Sequence, residues 1–207
     1  MMTKIKMCGL FREEDIDYVN EIKPEYIGFV FYKKSHRYVD HDTARKLKSK
    51  LDNDIKAVGV FVDEDISFIK DLVNDGIIDI IQLHGKEDKA YIEKLRLDAV
   101  THDTPVIKAI QIKDDTKNPE LLFSEFDSLV DFFLLDSGMG SGSSFDWKMV
   151  TDISKPFFLA GGLSNDNISE AIDTVNPYAV DVSSGIETSK VKDFEKMKQF
   201  ARLVRRT

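Results

Sequence analysis

The chain has one cysteine, one tryptophan, four histidines and five prolines in 207 residues. One cysteine makes no intrachain disulfide, so a disulfide-stapled scaffold is excluded. One cysteine with four scattered histidines also lacks zinc-site spacing, and no metal is expected. No apolar run approaches the ~18 residues that a membrane-spanning helix needs. The opening Met1–Lys6 leads into a strand-like stretch without a signal-peptide core, so a cytoplasmic location is expected. Basic residues do not predominate: 29 Lys and Arg against 37 Asp and Glu give a net charge of −8. That balance argues against nucleic acid as a partner, and the missing span argues against membrane.

Nor does a linker interrupt the chain, so one domain over residues 1–207 is expected. One pattern recurs instead: a short β-branched or aromatic run, a polar loop, then an amphipathic stretch. The runs are Ile5–Cys8, Tyr26–Tyr32, Ala57–Val62, Ile77–Leu83, Pro105–Ile110, Phe132–Leu135, Phe157–Ala160 and Tyr178–Val182. Ile168, Ala171, Ile172 and Val175 form an i, i+3, i+4, i+7 stripe that stops before Pro177. Similar stripes run through Ile66, Ile69, Leu72 and Val73, and through Phe194, Met197, Phe200, Ala201 and Val204. Eight nearly continuous apolar strands alternating with helices fit a single-domain (β/α)8 TIM barrel or a doubly wound open sheet. Eight even repeats favour closure into the barrel.

Alternation along the strands sorts barrel interior from helix-facing side. At the interior parity stand residues that an apolar strand does not need: Lys6 and Cys8, Gln82 and His84, Lys108, Asp136, Asp181 and Ser183. Each has a plain packing explanation. Cys8 alone would pass for a small buried hydrophobe, Lys6 and Asp181 for an interior ion pair, Asp136 for a helix cap. Their shared place at strand C-termini, where barrel active sites are built, favours a site over coincidence.

Glycine-bearing loops follow the last three strands: Gly138–Ser144, Gly161-Gly162-Leu163-Ser164 and Ser183-Ser184-Gly185. Loops after strands seven and eight of such barrels frequently bind phosphate through backbone N–H groups and a helix N-terminus. Gly161, Gly162, Ser183 and Ser184 are therefore candidate phosphate ligands. Gly138–Ser144 imitates a dinucleotide fingerprint, but it follows the sixth strand and opens no βαβ unit. It is expected to cover the pocket.

An ordered set of motifs then resembles the phosphoribosylanthranilate isomerase family. The set comprises Lys6-Met7-Cys8-Gly9-Leu10, Gly28-Phe29-Val30-Phe31-Tyr32, Ser35-His36-Arg37-Tyr38-Val39 and Val58–Val62. It continues with Gln82-Leu83-His84-Gly85, Leu134-Leu135-Asp136, Ser144-Phe145-Asp146-Trp147, Leu159–Leu163 and Val180–Gly185. The resemblance runs from residue 4 to the last helix. It implies a compact barrel of tryptophan biosynthesis that performs an Amadori rearrangement without metal or coenzyme. It also implies Cys8 as general base, Asp136 as general acid, Arg37, His84 and Asp181 as further substrate residues, and phosphate at the two loops already named. The expected partner is a small phosphosugar, with the chain a monomer or homodimer. Where the family often carries a loop lysine, this chain has Ser143. A Pro-Gly insertion common before the last helix is missing from Glu187–Lys190.

The chemistry suits these residue types. Opening the ribose ring needs an acid at the ring oxygen, and the following step needs a base at C2. Lys6, two positions before Cys8, is placed to favour its thiolate or to pair with Asp181. Arg37 follows the second run, across the barrel mouth from the phosphate loops, where a guanidinium suits the anthranilate carboxylate. Competing readings are another phosphosugar barrel enzyme and a non-catalytic phosphosugar-binding barrel. Indole-3-glycerol-phosphate synthase would bring a lysine set and an N-terminal extension. A histidine-pathway isomerase would place aspartate where Cys8 stands. A degenerate barrel would have lost Cys8 or Asp136.

Overall fold

The computed structural model describes residues 2–98, 100–112, 119–136, 153 and 155–206. Eight parallel strands close into a barrel in sequence order. They are β1 (Lys4–Cys8), β2 (Tyr26–Val30), β3 (Lys56–Phe61), β4 (Ile80–Leu83), β5 (Val106–Gln111), β6 (Phe132–Asp136), β7 (Phe157–Ala160) and β8 (Ala179–Val182). All eight apolar runs become strands, and β1 pairs with β8 to close the ring. The helices among the described residues are α1 (Glu13–Ile22), α2 (His41–Lys48), α3 (Ile66–Asn74), α4 (Lys89–Leu97), α5 (Pro119–Phe126), α6 (Ile168–Val175) and α7 (Phe194–Val204). The expected pocket-covering loop Gly138–Ser144 and the Ser144–Trp147 motif, Ser143 included, lie outside the described residues.

Local sequence explains the helix ends. Asp40, Asp65, Asp88 and Asp193 cap α2, α3, α4 and α7 by accepting backbone N–H bonds from the first turn. The stripe of α6 buries Ile168, Ala171 and Ile172, and the helix stops at Asn176 in the left-handed region before Pro177.

Two hydrophobic clusters follow from strand alternation. The larger fills the shell between barrel and helices. The smaller is the barrel's own interior: Tyr26, Val58, Ile80, Ile107, Leu134, Phe158, Ala160 and Ala179. This apolar plug floors the barrel, so the interior positions beyond it at the strand C-termini form a mouth.

Ile107 belongs to the plug, so its neighbour Lys108 faces the helix layer rather than the mouth, which corrects the expected parity. Outside the barrel its Nζ donates to Gly85 O (2.9 Å) and Glu87 Oε2 (2.8 Å). The run Val106-Ile107-Lys108-Ala109-Ile110 is apolar on both faces, so alternation alone does not orient it.

A two-stranded hairpin, β9 (Glu187–Thr188) and β10 (Val191–Lys192), follows β8. Its turn residues Ser189 and Lys190 both have positive φ, 52° and 66°. Hairpin turns of that kind usually advertise themselves as Asn-Gly, and no such signal stands here.

Candidate active site

A cavity of about 390 Å3 opens at the C-terminal mouth, and all nine site residues proposed from sequence line it: Cys8, Arg37, His84, Asp136, Gly161, Gly162, Asp181, Ser183 and Ser184. The size is in the range of small-molecule sites.

At the β1 end, fully buried Lys6 donates to both oxygens of Asp181, at 2.9 and 3.0 Å. Burial alone would push the Lys6 ammonium down, but Asp181 and Cys8 together outweigh it and hold lysine above its ordinary value. Lys6 is thus paired with Asp181, one of the two roles open to it. Cys8, 8% exposed, lies beside this pair. Burial raises its thiol above the ordinary value and Asp181 adds to the rise, while Lys6 and Lys192 pull the other way and lose. Burial thus holds Cys8 toward its thiol form.

Strand β2 makes room for that thiol. Cys8 and Gly28 are partners across β1 and β2, and a Cβ on Gly28 would stand 2.6 Å from Cys8 Sγ. Gly9 has φ +78°, and a side chain there would collide with the stem of Arg37. Two glycines near the thiol thus seat the sulfur and the arginine.

Asp136 ends β6, and His84 follows β4. His84 Nε2 is 3.3 Å from Asp136 Oδ2, while its Nδ1 is 2.9 Å from the amide nitrogen of Gln82. Gln82 is 1% exposed, and its Oε1 has no partner among the described residues. With the Gln82 amide nitrogen turned to His84 Nδ1, the imidazole proton sits on Nε2, facing Asp136; the tautomer follows the amide orientation.

The two candidate phosphate loops touch. Gly161 and Gly162 have positive φ, 92° and 62°. Ser164 bridges Gly185, which sits so close to the Leu163 carbonyl that no Cβ would fit. Asn167 braces the first loop by accepting from Ser164 N (2.9 Å) and donating to Gly162 O (3.0 Å). Ser183 Oγ donates to Cys8 O at 3.0 Å, tying the second loop to β1. Among the described residues, no group of three or more His, Cys, Asp or Glu side chains forms a metal site.

Arg37 is not across the mouth from the β8 loop. Only β1 separates β2 from β8 in the closed ring, and Arg37 forks onto Glu187 just beyond that loop. Sequence reading missed Glu187 and its partner Lys192. Glu187 is held down to about 2: burial opposes ionisation, but Arg37 and Lys192 override it. Lys192 lies below its ordinary value because burial outweighs Glu187. In sequence, both residues read as part of a polar segment ahead of the last helix.

Comparison with known proteins covers the whole chain. The family model described as N-(5'phosphoribosyl)anthranilate (PRA) isomerase matches residues 5–202. A relative from Endomicrobium trichonymphae named N-(5'-phosphoribosyl)anthranilate isomerase is 45% identical over 209 residues, covering 99% of each chain. A crystal structure of phosphoribosyl anthranilate isomerase in complex with reduced 1-(o-carboxyphenylamino)-1-deoxyribulose 5-phosphate superposes with a TM-score of 0.84 at 32% identity, covering 100% of both chains. Another, of mutually generated monomers of the dimeric enzyme from Thermotoga maritima, gives 0.81 at 31% identity over 98% of each chain.

Proposed function

The chain belongs to the N-(5'-phosphoribosyl)anthranilate isomerase family, and from that membership we propose how its own residues carry the rearrangement. It is an aldose–ketose isomerase of tryptophan biosynthesis, converting N-(5-phosphoribosyl)anthranilate to 1-(2-carboxyphenylamino)-1-deoxyribulose 5-phosphate. In our reading, Asp136 is the general acid and Cys8 the general base. Arg37, His84 and Asp181 hold the substrate, and Gly161, Gly162, Ser183 and Ser184 hold its phosphate. The observation that carries this reading is the convergence of all nine on one cavity.

The steps follow from the groups available. Asp136 protonates the ring oxygen as the C1–O bond breaks, and the anthranilate nitrogen supplies the electron pair that makes an iminium ion. His84, with Nε2 at 3.3 Å, orients the Asp136 carboxyl. The iminium acidifies the C2 proton, which passes to Cys8 as thiolate, its own proton having gone to solvent, and leaves an enolamine. Tautomerisation then gives the ketone. A raised thiol pKa is compatible with this order, because a cation formed beside the sulfur favours the thiolate. Lys6 does not supply that charge unaided, since Asp181 neutralises it at 2.9 Å.

The phosphate end meets two loops of backbone, whose N–H groups would stabilise a dianion. Gly162 leaves open space where a Cβ would stand, so an anion can approach the main chain. Arg37, beside the β8 loop, is the partner assigned to the anthranilate carboxylate. We place the reaction in the cytoplasm, on a monomer or homodimer, with a small phosphosugar as substrate and neither nucleic acid nor membrane as partner. The experiment that tests the function is a coupled assay for the 1-deoxyribulose product with purified protein. Product formation supports the assignment; an inactive, folded protein that binds the phosphosugar fits the scaffold alternative.

A further inference from the structure

The hairpin after β8 carries Glu187 and Lys192, two side chains that the acid–base chemistry does not use. Glu187 is 6% exposed at its side chain and Lys192 0%. Buried charges on a short surface hairpin are costly unless each meets several partners. These do. Arg37 Nε donates to Glu187 Oε1 at 2.6 Å, and Arg37 Nη2 donates to Glu187 Oε2 at 2.7 Å. Lys192 Nζ donates to Glu187 Oε1 at 2.7 Å and to Ser183 O at 3.0 Å. A continuous polar chain therefore links the β2 loop, through Glu187 and Lys192, to the candidate phosphate loop.

The fork uses one edge of the guanidinium. Arginine has five N–H donors, and Nε with one Nη2 hydrogen serves Glu187. The outer edge, with one Nη1 hydrogen and the second Nη2 hydrogen, is not used by Glu187, and Arg37 lines the cavity. That edge is complementary to a second planar carboxylate. Two cations against one anion leave a net positive charge at the wall. The guanidinium plane is fixed before any ligand arrives, so binding does not have to freeze a long side chain.

We propose that Glu187 is a positioning residue for substrate: it locks Arg37 so that its outer edge meets the aryl carboxylate, with Lys192 fixing Glu187 to the Ser183 loop. This rests on the reading of Arg37 as the carboxylate partner. Glu187 acts through Arg37 and does not itself touch the reacting atoms.

The test measures the dissociation constant of the reduced product analogue by calorimetry, together with kcat and thermal unfolding, in wild type, Arg37→Ala, Glu187→Gln, Glu187→Asp and the Arg37→Ala/Glu187→Gln double variant. Glu187→Gln should weaken binding roughly tenfold and leave kcat within about threefold. Glu187→Asp, which keeps the charge but is one methylene short of spanning both contacts, should lose less. In the Arg37→Ala background, Glu187→Gln should cost nothing more, which a merely structural role would not reproduce. Wild-type affinity in folded Glu187→Gln, or an equal added loss in the double variant, overturns the proposal alone. Wild-type affinity in Arg37→Ala overturns the underlying reading and the proposal with it. If Glu187→Gln does not fold, Glu187→Asp decides, and wild-type affinity there also overturns the proposal.

Discussion

Replacing Gly28 by alanine perturbs the thiol's position without altering its chemistry. The added Cβ would stand 2.6 Å from Cys8 Sγ, 3.2 Å from Cys8 Cα and 3.3 Å from Cys8 Cβ. Nonbonded heavy atoms prefer ~3.5–4.0 Å, so sulfur and methyl must separate by about 1 Å. The other two contacts, to Cys8 Cα and Cβ, are much less severe, so relief falls mainly on the thiol. A misplacement of about 1 Å can cost roughly 10²-fold in rate. Overpacking typically costs about 1–3 kcal/mol, which a domain with roughly 5–15 kcal/mol of stability survives. Gly59→Ala is the control. Its Cβ would meet the Phe61 ring at 2.8 Å and Ile78 Cδ1 at 2.9 Å, a comparable clash in the shell core between barrel and helices. Single-turnover rates and melting temperatures on both variants separate the effects. Gly28→Ala should lose about 10²-fold in rate with product-analogue affinity little changed, whereas Gly59→Ala should lose stability and keep its rate. A folded Gly28→Ala reacting at wild-type speed would refute the argument that the sulfur must sit where β2 leaves room for it.

Three other outcomes are expected. Gly162→Asp puts a carboxylate into open space at a positive φ that aspartate tolerates; KM should rise sharply with the fold intact, and an unchanged KM rules out phosphate at that loop. Because burial raises the Cys8 thiol, kcat/KM should climb with pH across neutrality, and Asp181→Asn, which removes a charge that pushes the thiol up, should move that climb to lower pH; an unmoved profile contradicts the thiol assignment. Glu187 titrates near 2 in the folded chain against an ordinary 4.5. Its contribution to stability is present above 4.5 and fades as pH falls toward 2. The urea-unfolding gap between wild type and Glu187→Gln should accordingly shrink from pH 7 to pH 3, and a gap independent of pH would show that the ion pair is not its source.

The sequence made some of this legible for definite physical reasons. Lys6, Cys8, Asp136 and Asp181 stood out because an apolar strand does not need them and because they gather at the ends of strands. Lys108 looked the same and was not, since β5 is apolar on both sides and alternation gives no direction there. Its charge is buried with Glu87 under the helix layer. The hairpin carrying Glu187 and Lys192 left no trace in hydrophobic periodicity, because each strand is two residues long and its turn is Ser189-Lys190. Arg37 was recognised through family resemblance, but its place beside the β8 loop needed ring closure. The seat that Gly28 provides for Cys8 depends on β1–β2 register, which no motif states.

The central claim is that the Cys8 thiol and the Asp136 carboxyl perform the proton transfers. Its most direct test is single-turnover conversion of N-(5-phosphoribosyl)anthranilate at saturating concentration, which removes product release from the observed rate. Cys8→Ser keeps a hydroxyl of similar size but far weaker acidity, and Asp136→Asn keeps shape without a transferable acidic proton. Each should slow the chemical step by about 10²–10⁴-fold, with affinity for the reduced product analogue changing far less. A Cys8→Ser variant that turns over at wild-type speed under these conditions makes the thiol a packing residue and contradicts the account. An Asp136→Asn variant that does so moves the acid elsewhere on the rim, to His84 first.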